Sequence, residues 1–286
     1  MLSNRFWRKM AVNILPEFLK SPLRKRLHGF GPSHHPYVLQ YKDGEHLSVH
    51  ISDNNEINIE LIISQDFKTS LEYQLADNAD CIEETRSFLK LAKDKRLLFD
   101  AGAYTGLFSL LFCAVNQENR VVSFEPSPTM APIITELSQR NNLGSRIQVQ
   151  NLAIGDTVGI VSFASEETGF VQVCSSNINT PKIDVKVTTI DEQCQALNLV
   201  PDLLKIDVEG FELEALQGAS KLLANHRPII LMEIHLNYLE ERGIEAKQIT
   251  DLLENANYKF WSCSEKPITA RTIYDTIKPV LRFIAK

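Results

Sequence analysis

The chain lacks most of the features that would sort it quickly. Its five cysteines (Cys81, Cys113, Cys174, Cys194 and Cys263) are odd in number, and no two form a C-x-x-C pair. That leaves neither a disulfide framework nor a zinc knuckle, and it fits a reducing, cytoplasmic setting. The longest uncharged run, 101–117, is broken by Gly102 and Gly106, so no bilayer-spanning helix is expected. The apolar stretch AVNIL is cut off by Pro16 and Glu17, which is too short for the core of a secretory signal. Positive charge is scarce beyond residue 30. The first 30 residues hold seven Lys and Arg against Glu17 alone, while the rest of the chain holds 23 basic and 35 acidic side chains. An acidic body excludes broad nucleic-acid binding, which needs a positive footprint.

What is present is an ordinary globular composition, 286 residues with 44% hydrophobic and 23% charged side chains, enough for one large domain with an extension. Residues 1–35 read as a basic arm. Phe6, Met10, Ile14 and Phe18 recur at helical spacing, and the arm could meet a membrane surface, a partner or its own acidic body. Residues 36–78 read as a small β-rich extension, with a hairpin around Asp43-Gly44 and a further strand INIELII. A helix is expected over 79–95, with Ile82, Phe88, Leu89 and Ala92 near one face.

From Leu97 onward apolar strands alternate with helical patterns. Strands are expected at 97–100, 120–125, 147–154, 202–207, 228–235 and 258–263, and helices at 106–115, 129–142, 211–224 and 245–256. A β-rich insertion covers 158–189. Repeated βα units predict an α/β fold with a doubly wound, mostly parallel, seven-stranded sheet over residues 79–286. The last residues, IYDTIKPVLRFIAK, show helical spacing.

Strand 97–100 runs into D-A-G-A-Y-T-G, Asp100 to Gly106. In such sheets ligands bind beyond the C-terminal strand ends, and a glycine turn into a helix lets backbone approach a ligand closely. Tyr104 stands where the dinucleotide fingerprint would place its third glycine. A carboxylate such as Asp100, aimed into the turn, repels phosphate and suits an ammonium-bearing ligand. Glu125 ends the next strand and could accept both hydrogens of a ribose diol. An adenosine with a cationic amino-acid tail meets these demands, as S-adenosylmethionine does.

The strings FDAGAYTG, VVSFEPSP, NLAIGD, TTID, LLKIDVEGFELEALQGA and RPIILMEIH, in this order, resemble the FkbM-type methyltransferases of the class I S-adenosylmethionine-dependent fold. The resemblance covers about residues 80–265. It implies that Asp100, Gly102, Ala103, Tyr104 and Gly106 line the methionine end of the cofactor. It further implies Glu125 at the ribose with Pro126 beside it, and Asn151 and Ala153 near the adenine. The family usually has a small polar residue where Tyr104 stands, so only the backbone N–H of Tyr104 is carried over. The activity implied is O-methylation of a hydroxyl on a sugar, glycan or polyketide.

Two further strand ends carry polar residues that a buried strand does not need. LLKIDVEG sets Asp207 and Glu209 two apart, and ILMEIH does the same with Glu233 and His235. Methyl transfer to a hydroxyl needs an aligned acceptor and a proton acceptor. His235 is the natural base, its ordinary pKa being near ~6.5, with Glu233 placed to orient it; Asp207 or Glu209 could take the proton instead. The blander roles are Glu209 at a helix N-terminus, Glu233 satisfied by backbone and His235 facing solvent. The same four residues look like a hard-metal set, but no metal is assigned. A nucleotide-dependent oxidoreductase and a non-catalytic scaffold are the rival readings.

Overall fold

A computed structural model describes residues 37–41, 46–51, 57–65, 67–68, 79–165, 171–173 and 182–286. The basic arm expected over 1–35 lies outside these residues, as do the turns at 42–45 and 52–56. Strands β1 (Tyr37–Tyr41), β2 (His46–Ile51) and β3 (Ile57–Ile62) form an antiparallel sheet in the order β1-β2-β3, within the segment read above as the β-rich extension.

Helix α1 (Ala79–Asp94) leads to β4 (Leu97–Ala101), α2 (Leu107–Val115), β5 (Arg120–Phe124), α3 (Met130–Arg140) and β6 (Ile147–Gln150). The insertion follows as β7 (Ala153–Ile154), β8 (Gly159–Ser165), β9 (Val171–Val173) and β10 (Lys182–Thr188), paired in the order β7-β10-β8-β9. Alternation resumes with α4 (Ile190–Leu197), β11 (Leu203–Ile206), α5 (Glu212–Gln217), α6 (Ser220–Asn225) and β12 (Ile229–His235). The chain closes with α7 (Leu236–Glu241), α8 (Ala246–Asn255), β13 (Phe260–Ser262), β14 (Pro267–Ile268), α9 (Ala270–Tyr274) and β15 (Val280–Ala285).

Among the described residues the main sheet has eight strands, against the seven expected, in the order β14-β13-β15-β12-β11-β4-β5-β6. β12, β11, β4, β5 and β6 pair in parallel, whereas β15 runs antiparallel to β12 and to β13. The helical expectation for the C-terminus is therefore corrected. Phe283, Ile284 and Ala285 are all buried between β12 and β13, and a strand covered on both faces carries no alternation to betray it. The single helix expected over 211–224 is split into α5 and α6.

Burial on both faces explains the apolar strands. Leu98, Val121 and Leu203 pack with α1, α2 and α3 in one core, and Phe99, Val122 and Leu204 pack with α5, α6 and α8 in the other. β3 joins the first core through Ile59 and Leu61. Asn141 accepts from the Ile62 N–H and donates to its carbonyl, each at 2.7 Å, which fastens the extension to the main domain. The chain turns one way from β4 to β5 and β6, and the other way from β11 to β12, so the switch point lies between β4 and β11.

Candidate active site

At the switch point the β4–α2 turn is pressed against the β11 end. Gly102 sits at φ +83°, and a Cβ there would lie 1.7 Å from the Asp207 carbonyl oxygen. Only glycine fits both the left-handed backbone and that approach. Gly106, at φ +79°, lies against Ile134, and Tyr104 between them is held at φ +49°. The Gly102 and Ala103 N–H groups donate to the Phe124 carbonyl at 2.9 and 3.1 Å. The Tyr104 N–H donates to Glu125 Oε2 at 2.6 Å. The turn thus spends these donors on β5, and Tyr104 binds Glu125 rather than presenting its N–H as expected.

Glu125 is 5% exposed, and its Oε1 accepts from the Ser127 N–H at 2.8 Å. Burial pushes its pKa up to about 7 against the pull of these two donors. Asp100 also differs from expectation. It does not aim into the turn but lies buried beneath it, accepting from Ser109 Oγ at 2.5 Å. Ser109 in turn pairs with Ser123. Burial raises Asp100 to about 6, opposed by the charge of Lys205. Asn151 donates to the Glu125 and Pro126 carbonyls at 2.8 and 3.0 Å and so shapes the β5 end. Ala153 of β7 is buried with Phe163 of β8 and Val185 of β10 within the insertion sheet.

The second cluster gathers on β11 and β12. His235 Nδ1 lies 2.9 Å from Glu212 Oε1, a carboxylate with no exposed side-chain surface. Its Nε2 faces Glu209 Oε2 at 3.3 Å, Glu233 Oε1 at 3.6 Å and Asp207 Oδ1 at 3.9 Å. Burial pulls the imidazole pKa down, but the Glu212 bond and the Glu209 and Asp207 charges outweigh it and lift it to about 10. At neutral pH His235 is an imidazolium with both nitrogens facing carboxylates. It has no lone pair to offer as a base, and the orienting residue is Glu212, not Glu233.

Glu233 Oε1 also meets a second cation. Arg282 stands opposite it in the β12–β15 ladder and donates at 2.6 Å. Arg282 also reaches Glu84 of α1 at 3.0 Å. Lys205, 1% exposed, lies 2.9 Å from Asp207 Oδ2, 3.7 Å from Glu84 and 4.5 Å from the Phe108 ring centroid. Burial would raise Asp207, yet Lys205 and His235 hold its carboxyl below the ordinary range. Burial and the neighbouring Asp207 and Glu84 raise Glu233 to about 8.

One ligand atom each from Asp207, Glu233 and His235 lies within 4.8 Å of the others. Lys205 and Arg282 already supply positive charge to both carboxylates, so we read the group as an ion-pair network. The most accessible carboxylate is Glu209, with 30% of its side chain exposed against 23% for Asp207 and 7% for Glu233. Glu209 lies past the end of β11, at φ +51°, a backbone strain that a non-glycine residue keeps where the surroundings impose it. Burial and nearby acids raise its pKa to about 7.

Sequence reasoning missed Lys205, Glu212, Glu84, Arg282 and Ser109. Lys205 and Arg282 left a signal, each being a lone charge within an apolar strand run, LLKI and VLRFIA.

Residues 100–260 match the model of the methyltransferase FkbM domain. The chain belongs to this methyltransferase family. Among curated proteins it is 28% identical, over 173 residues, to the hexuronic acid methyltransferase AglP of Haloferax volcanii, spanning 60% of this chain and 66% of that protein's length. Among solved structures it is similar to an FkbM methyltransferase of Methylobacillus flagellatus KT, at 16% identity and TM-score 0.44 over 77% of this chain and 58% of that one. It is also similar to an O-methyltransferase of Bacillus cereus in complex with SAH, at 14% identity and TM-score 0.41 over 78% and 90% of the two chains. Glu84 and Arg282 lie outside the family-matched segment. No helix among the described residues is long and apolar enough to cross a membrane.

Proposed function

We propose that this methyltransferase moves a methyl group from S-adenosylmethionine to a hydroxyl of a sugar, with Glu209 as the proton acceptor. The observation that carries the reading is the surplus of carboxylates at the strand ends. Six carboxylates, Asp100, Glu125, Asp207, Glu209, Glu212 and Glu233, gather there with the cations Lys205, Arg282 and His235 among them. Such a site favours a ligand that brings positive charge. S-adenosylmethionine supplies a methyl group on a sulfonium together with an ammonium tail.

The two clusters divide the work. Glu125 and the Gly102–Gly106 turn would hold the nucleoside and the amino-acid tail. Glu209 reaches the open side of the second cluster, and a pKa of about 7 suits a base working near neutrality. As the acceptor oxygen bonds the methyl carbon and the carbon–sulfur bond breaks, the hydroxyl proton passes to Glu209. Imidazolium His235 holds that carboxylate through Nε2.

The acids also favour a hydroxyl over a carboxylate as the acceptor atom. A carboxylate acceptor would be repelled by Asp207 and Glu209 and would leave the proton acceptor idle. Sugar as the acceptor class rests on the name of the archaeal relative. The test is transfer of labelled methyl from S-adenosylmethionine to neutral hexoses and to hexuronic acids, followed by mild alkali. Label that survives alkali is a methyl ether and supports the reading. Label released by alkali is an ester and overturns the hydroxyl assignment. No binding of S-adenosylhomocysteine in a parallel titration, with NAD as control, would overturn the cofactor.

A further inference from the structure

The most deeply buried carboxylate of the second cluster touches neither the turn nor the open side of the site. Glu212 has no exposed side-chain surface, although the first turn of a helix normally faces solvent. Its Oε1 accepts from the Gly210 N–H at 2.9 Å and faces His235 Nδ1 at 2.9 Å. Its Oε2 is buried with no hydrogen-bond partner. A chain that tolerates half of a buried carboxylate unsatisfied is compensated through the other half.

Tight backbone packing keeps that half in place. Gly210, at φ +93°, leaves no room for a Cβ, which would lie 2.6 Å from Tyr238 Cβ. The Tyr238 ring lies parallel to the imidazole at 5.7 Å between centroids. The imidazole is thus covered on one face and bonded at Nδ1, and one nitrogen remains to point into the site.

We propose that Glu212 is a positioning residue, which fixes His235 with a proton on Nδ1 and thereby aims Nε2 at Glu209. Glu212 acts through His235 and touches neither cofactor nor acceptor. Among the described residues, the charged and titratable groups facing the imidazole are Glu233 from β12, Asp207 and Glu209 from the segment after β11, Glu212 from α5 and Tyr238 from α7, with Lys205 of β11 on Asp207 and Arg282 of β15 on Glu233. Of these, only Glu212 meets Nδ1. The consequence for Glu209 follows from charge. A protonated imidazole favours its ionised form, so losing the imidazolium along with Glu212 would leave less of Glu209 ionised and ready to take a proton at neutral pH.

The inference rests on Glu209 as proton acceptor, and its test has a readout independent of methyl transfer. In the wild-type protein, long-range nitrogen–proton NMR on labelled histidine should show a proton on His235 Nδ1 at pH 7. An unprotonated Nδ1 would overturn the proposal without any variant. In Glu212→Gln the Nδ1 proton should be lost or the imidazolium should titrate at lower pH, and kcat should fall roughly 10²-fold. KM for S-adenosylmethionine and affinity for S-adenosylhomocysteine should stay within about threefold, a split that general unfolding would not give. Unchanged His235 signals together with kcat within twofold of wild type would overturn the proposal. If the glutamine variant fails to fold, Glu212→Asp with the wild-type spectrum serves instead, the shorter acid being expected to lengthen the Nδ1 contact and lower kcat alone. A His235 bonded as described in a protein that transfers no methyl group would sink the functional reading and leave the dyad standing.

Discussion

The two halves of the strand-end site hold their acids in opposite ways. On β4 and β5, Asp100 and Glu125 are satisfied chiefly by neutral donors: the Ser109 hydroxyl and the Tyr104 and Ser127 N–H groups. On β11, β12 and β15, Asp207, Glu209 and Glu233 face cations: Lys205, His235 and Arg282. Neutral donors organise a carboxylate without cancelling its charge, so the first half keeps a field that attracts a cationic ligand. The second half carries internal charge compensation and is held rigid by it. A recognition surface and a catalytic one can thus be built side by side from the same residue type.

Gly102 joins the halves, and its loss should have the largest effect. Gly102→Ala forces a Cβ onto the Asp207 carbonyl in a left-handed backbone. A loss of more than about 4 kcal/mol, the range of severe point mutations, should appear in denaturant unfolding, together with loss of S-adenosylhomocysteine binding. Arg282→Met comes close behind. It removes the hydrogen-bonding cation of Glu233 and leaves Glu84 with Lys205 alone, and breaking a buried pair costs about 3–5 kcal/mol. Its signature is lowered stability with cofactor affinity retained in the folded fraction.

Glu209→Gln should lower kcat by roughly 10²–10⁴-fold, the usual worth of a positioned base, with little change in stability. In the wild type, kcat/KM should fall about tenfold per pH unit as pH drops below about 7, where Glu209 gains a proton. Stability has the opposite slope. His235 is lifted to about 10, so its contribution is full below ~6.5 and is lost as pH rises through 10. Glu125 and Glu233, raised to about 7 and about 8, bind protons more tightly when folded, so stability also falls as pH rises through those values. Thermal melts should therefore show a higher Tm at pH 6 than at pH 9. The smallest effect is expected of Ser109→Ala, about 1–3 kcal/mol for its lost hydrogen bonds to Asp100 and Ser123.

The same contrast explains what the sequence made legible. Asp100, Gly102, Gly106 and Glu125 belong to one βαβ unit, and their offsets in sequence report their proximity. Asp207 with Glu209, and Glu233 with His235, were visible as polar strand ends for the same local reason. The ion network was not, because it is assembled across long separations: Arg282 meets Glu84 198 residues away. β15 was misread because its apolar run fits a helix as well as a doubly covered strand, and the antiparallel return that decides the matter is a tertiary fact. The inward turn of Asp100 was hidden too, since spacing gives a residue's place on a strand but not the hydroxyl waiting behind it.

The most direct test is a calorimetric titration of S-adenosylhomocysteine into wild type, Glu125→Ala and Glu209→Gln under one set of conditions. Separate recognition and transfer halves require micromolar binding by wild type and Glu209→Gln, and at least tenfold weaker binding by Glu125→Ala, about 1.4 kcal/mol or more. Equal affinity for all three, or equal loss in both variants, would contradict the division.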